Sequence, residues 1–285
     1  MDVTERKVIA VEAIVVAAAV ATALLLQLLV GSFPVEIFAF PLNVIILALW
    51  VFVAYMLHSN REKSVVAKSL LSMRATWLSL GSMVTVGLYL GLQREPNAAS
   101  WLVVVAILFT LTHLLLITMR GWRTSRGIRW RFTLLHAGLI IALGAGFWGA
   151  PDRVQLRSIL TAKGPTTQAY HLNGTASNLG YTMQLQEFEV EYSSSGTPTH
   201  FEAVAEIDNE TVTLTVNHPY HRTFSEKIYL VSINSRKESQ EEYCIVEIVR
   251  EPWQWASLAG IVLLLAGAVM LFVRGPRHNA NKLIK

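Results

Sequence analysis

Two of the eight histidines, His113 and His136, fall inside long apolar runs. An ionisable side chain is costly there and marks a candidate functional site. His136 follows Arg131 by five residues, about 7.5 Å of helix rise, and His113 precedes Arg120 by seven, about 10 Å. One short loop joins the two runs, so both imidazoles lie at similar depth towards that loop. Neutral imidazole is the usual protein ligand of haem iron. It is also a common hydrogen-bonding group between helices. His136 and His113 are therefore candidate ligands, with bonded helix histidines as the alternative. Gly138, Ala142, Gly146 and Ala150 recur at spacing four, a pattern that lets another helix approach closely. His136 lies about 200° around the helix from Gly138, away from that face.

The surrounding elements follow from composition. The 285 residues are 53% hydrophobic and 15% charged, with mean hydropathy +0.42. A soluble domain carries about 25% charge, so a soluble enzyme and a disordered chain are excluded. Six apolar runs, 8–29, 37–57, 75–92, 100–119, 132–148 and 255–273, approach the ~20 residues needed to cross a bilayer. Without water to satisfy a loose backbone, they must be helices. The first run exceeds the ~7–15 residues of a signal-peptide core and is read as a span. Pro41 and Asn43 perturb the second.

Loop charge sets the orientation. The N-terminal segment, the 2–3 loop, the 4–5 loop and the C-terminal tail together carry 15 Lys and Arg. The two short loops opposite carry one, Arg94. Both termini are expected in the cytoplasm. The basic loops are topology signals, and no nucleic-acid partner is expected. Glu12, the one acid placed within a membrane run, is an interfacial residue or a proton relay.

Residues 151–252 differ. They carry 14 acidic and 8 basic residues, and lie on the outer side by the same loop count. Apolar residues alternate in 181–192, 212–216, 228–233 and 243–249, the first with one slip of phase. Turn-formers such as the 193–198 segment separate them. Such runs predict an antiparallel sheet or sandwich. The expected fold class is a membrane α-helical protein of six transmembrane helices, with one β-rich extracytoplasmic domain inserted before the last. Its parts are 1–66 (two additional helices), 67–150 (a three-helix core), 151–252 (the β-rich domain) and 253–285 (last helix and basic tail). The single cysteine, Cys244, excludes an internal disulfide, a CxxC pair and covalent c-type haem attachment. P-loop, dinucleotide-binding and zinc-protease signatures are missing.

The order of three segments is distinctive. A histidine-bearing helix end, "RFTLLHAGLIIALGAGFWGAPD" (131–152), leads into the β-rich block. That block contains "VNHPYHRTFSEKIYLVS" (216–232). "VEIVREPWQWASLAGIVLLLAGAVMLFV" (246–273) leads into the last helix. Over about 67–273 the chain resembles the ResB-like (CcsB) family of system II cytochrome c biogenesis proteins. The resemblance implies a protein of the bacterial inner (cytoplasmic) membrane that works with a CcsA-type membrane partner to export haem for attachment to apocytochrome c. It implies haem b in transit, not covalently bound, with His136 as an axial ligand of the iron. The partner supplies the other ligand, with His113 as an in-chain competitor. The family partner's tryptophan-rich motif is absent here, so the chain is not expected to attach haem alone. The 4–5 loop arginines either meet the haem propionates or serve topology only. His218 and His221 either lie near a delivery site or are ordinary loop histidines, while Trp253 and Trp255 suit an aromatic belt. Two rival readings remain open. One is a non-catalytic scaffold whose outer domain binds an envelope protein; the other is a b-type haem electron carrier using His113 and His136.

Overall fold

A computed structural model describes residues 3–125, 127–192, 198–234 and 243–274. Arg126, the 193–197 linker and the basic tail with Arg277, Lys282 and Lys285, all used in the sequence reading, lie outside the described residues. The chain forms two compact units, one of Met1–Pro151 with Gln254–Lys285, the other of Asp152–Trp253.

The first unit is helical. Its elements are α1 (Val3–Leu29), α2 (Leu42–Ser59), α3 (Val65–Leu70), α4 (Met73–Leu92), α5 (Trp101–Gly121), α6 (Trp130–Gly149) and α7 (Gln254–Arg274). A two-residue-per-strand hairpin, β1 (Arg123–Thr124) and β2 (Gly127–Ile128), joins α5 to α6. Six of the helices are long and apolar enough to cross a membrane, α3 being the short one. The chain is a multi-pass membrane protein.

The second span starts later than the apolar run suggests. Residues Val35–Phe38 form a 3₁₀ turn and Pro41 caps α2. Proline fixes its own backbone angle and disfavours helix in the residue before it, so the helix begins after it. Asn43 is then 1% exposed, and its Nδ2 donates to the Trp148 carbonyl at 3.0 Å. That carbonyl lies in the last turn of α6, where no intrahelical donor reaches it. The amide thus ties α2 to α6. Asn43→Leu leaves the carbonyl buried and bare and is expected to cost about 1–3 kcal/mol, read as a lowered melting temperature in detergent.

Glu12 of α1 accepts from Arg74 Nε at 2.8 Å and from the Ser69 hydroxyl at 2.7 Å. The acid of the first span is therefore paired across helices. The α6–α7 seam is closer still. A Cβ on Gly138 would stand 2.5 Å from the Leu264 amide nitrogen, and one on Gly260 would strike Ala142 N and Gly138 O. The backbones touch because neither residue has a side chain. Gly146 has open space instead, so the seam uses only part of the small-residue stripe.

The second unit is one antiparallel sheet of eight strands, β3 (Val154–Thr161), β4 (Thr166–His171), β5 (Ala176–Tyr192), β6 (Pro198–Ile207), β7 (Glu210–Thr215), β8 (Tyr220–His221), β9 (Glu226–Asn234) and β10 (Tyr243–Arg250). Their order is β7-β6-β5-β4-β3-β10-β9-β8. The two outermost strands are consecutive in the chain, and β7 lies near both β8 and β9, so the sheet curls back on itself. Its interior face follows the period of two: Leu156 and Leu160, Ala203, Ala205 and Ile207, and Cys244, Val246 and Ile248 are all buried. The slip of phase in β5 is a bulge between Leu185 and Glu187. Burial in this apolar face pushes the Cys244 thiol up to about 12, so it stays protonated.

Candidate functional site

α6 carries His136 on the side of the α5–α6 loop. Its Nδ1 lies 2.8 Å from the Phe132 carbonyl, one turn earlier. A carbonyl only accepts, so Nδ1 holds the proton and the Nε2 lone pair is exposed for another use. Among the described residues Nε2 has no hydrogen-bond partner. Imidazole ligands of metals are commonly fixed in this way, the second nitrogen donating to a carbonyl that sets tautomer and ring orientation.

Phe132 acts twice on His136. Its ring stacks on the imidazole at 3.9 Å between centroids, with 25° between the planes. Spacing four puts the two side chains on one face of the helix. Gly121, the last residue of α5, gives the phenyl ring its seat, since a Cβ there would come within 2.5 Å of the ring carbons. The Arg129 guanidinium lies over the same ring, 4.7 Å from its centroid. The sequence reading named His136 but neither Phe132 nor Gly121. The i, i+4 aromatic spacing was the available signal for the first; a packing glycine in another helix leaves none.

His113 sits differently. It is 5% exposed, and both ring nitrogens are engaged: Nδ1 with the Leu70 carbonyl at 2.7 Å, Nε2 with the Thr76 hydroxyl at 3.1 Å. By the same tautomer argument Nδ1 donates and Nε2 accepts. Arg120 donates to the next carbonyl, Leu71, at 3.1 Å. Together they satisfy the backbone where α3 ends and α4 begins, two groups a helix end leaves bare. His113 would have to surrender its Thr76 bond to bind a metal through Nε2.

His218 and His221 are exposed on the turn between β7 and β8 and on β8. Asn217 before them takes a left-handed backbone angle of 66°, which asparagine tolerates in tight turns. Trp253 Nε1 donates to Asp152 Oδ2 at 2.7 Å, which fixes the two ends of the second unit together. No group of three His, Cys, Asp or Glu able to hold a metal ion occurs among the described residues.

The ResB-like family model matches residues 125–246, a narrower stretch than 67–273. It takes in α6 with His136, and the strands of the second unit through the first half of β10. Among solved structures the chain is similar to one described as cytochrome c haem lyase CcmF, at 12% identity and a TM-score of 0.37, over 87% of this chain and 43% of that one. The chain thus spans less than half the length of that protein. A comparison with curated proteins gives no match.

Proposed function

This multi-pass membrane protein is ResB-like over residues 125–246, and from that premise we propose that it is the haem-handling subunit of a system II cytochrome c synthase. The family match supports a role in cytochrome c biogenesis. In our reading the chain lies in the bacterial inner membrane with both termini cytoplasmic. Haem b is its cargo, a CcsA-type protein its partner, and apocytochrome c the recipient. The observation that carries this is the imidazole of His136, with Nδ1 bonded to the Phe132 carbonyl and no partner for Nε2 among the described residues.

The work of this chain is to hold and orient. The Phe132 carbonyl keeps the proton on Nδ1 and so keeps the Nε2 lone pair available. The stacked phenyl ring restricts imidazole rotation, which lowers the ordering cost of ligation. The apolar residues of α6 around His136 suit a porphyrin ring. The second axial ligand comes from the partner, because His113 is already bonded at both nitrogens. That same geometry weighs against the electron-carrier reading, which needs His113 as a ligand.

The test is the visible spectrum of the detergent-purified chain, with and without a co-expressed CcsA-type partner. His136→Ala is expected to remove most of the Soret band, and added imidazole to restore part of it. A band of unchanged size and position in the variant removes the ligand role. No haem under any condition favours the scaffold reading.

A further inference from the structure

Phe132 and His136 lie one turn apart on one face of α6, and Arg129 is the N-cap residue of that helix. The contacts agree: guanidinium over phenyl at 4.7 Å, phenyl on imidazole at 3.9 Å. A molecule ligated by Nε2 that also carries an anionic edge would find the Arg129 guanidinium beside the same phenyl ring. Haem has that form: a metal at the centre and two carboxylates at one edge.

The loop arginines are not equivalent. Arg120 is committed to the Leu71 carbonyl. Arg129 makes one long bond, 3.4 Å to the Gly121 carbonyl, and otherwise rests on the Phe132 ring. A guanidinium has five N–H donors in a planar fork. Stacking on an aromatic face leaves the edge of that fork open for a carboxylate. Among the described residues, no acid takes it.

Resting on the haem reading above, we infer that Arg129 is the carboxylate-binding residue of the His136 site and that Phe132 positions both ends of it. The ring meets both the guanidinium and the imidazole, so ligand and anchor share one support.

The test is Soret titration of the full-length chain in detergent with two probes, protohaem and its dimethyl ester, which lacks free carboxylates. The wild-type chain is expected to bind protohaem more tightly. Arg129→Gln should weaken protohaem binding about tenfold, the size of one charge-assisted pair, and leave ester binding unchanged. Arg129→Lys should keep part of the preference. Equal loss of both probes in Arg129→Gln would mean a merely structural role, and unchanged protohaem binding would mean none; either overturns the proposal. His136→Ala is read separately, by Soret position. If it leaves the band in place, the ligand reading falls, while any difference between probes in Arg129→Gln still stands. A wild-type chain that binds neither probe overturns both.

Discussion

Replacing Glu226 by alanine is expected to destabilise the β unit by about 3–5 kcal/mol, the cost of leaving a buried charge without its partner. Glu226, the first residue of β9, is 3% exposed. One carboxylate oxygen accepts from Arg222 at 3.1 Å and the other from Arg250. Arg222 reaches on to Asp208 at 3.2 Å and lies over the Tyr181 ring, 3.8 Å from its centroid. Burial, and then the negative Glu226 beside it, push the Tyr181 phenol well up, so it stays neutral. Without the carboxylate, two guanidiniums face each other in a half-buried place with nothing between them. Denaturant unfolding followed by tryptophan fluorescence measures the loss. Removing Arg222 as well, as Glu226→Ala/Arg222→Met, should recover part of it, because one stranded charge goes with its partner. A loss below about 1 kcal/mol in the single variant would mean that both arginines reach water and the cluster behaves as a surface network.

The second large effect is in the helical unit. Gly260→Ala is expected to cost about 3 kcal/mol, because its new methyl meets backbone, Ala142 N and Gly138 O, which cannot step aside as a side chain can. α6 and α7 would have to separate, and His136 rides on α6. Gly146→Ala is the matched control. A Cβ there meets nothing within 4 Å, and alanine is the better helix former by about 0.5–1 kcal/mol. The first variant should melt several degrees lower in detergent and the second should not. Equal melting temperatures would show that the seam has slack.

The six spans could be read from the sequence because a bilayer leaves a backbone few choices. The strands were legible in part. β5, β7, β9 and β10 carry large apolar residues at period two. β3 hides the pattern behind Ser158, which is buried and donates to the Gln168 carbonyl at 2.7 Å. The inward residues of β6 include Ala203 and Ala205, and β4 buries Ala169 alone among polar neighbours. Small or satisfied polar residues carry little hydropathy, so those three strands gave weak signals. His136 stood out in the sequence as a candidate, but the residues that hold its ring did not. Phe132 reads as an ordinary apolar helix residue, and Gly121 meets it only after α5 and α6 fold together. His113 looked much like His136 in sequence, since membrane depth does not reveal that Leu70 and Thr76 take both its nitrogens.

The β unit begins and ends at one point. Trp253 and Asp152 share a hydrogen bond, Arg153 and Glu251 an ion pair at 3.0 Å, and Val154 pairs with Arg250 across the sheet. Roughly a hundred residues thus start and finish side by side. In construction terms the β unit is a cassette: its ends already meet, so its presence adds little loop-closure entropy to the hairpin that carries it. A lineage could enlarge, trade or lose such a cassette while the α6–α7 pair kept its register.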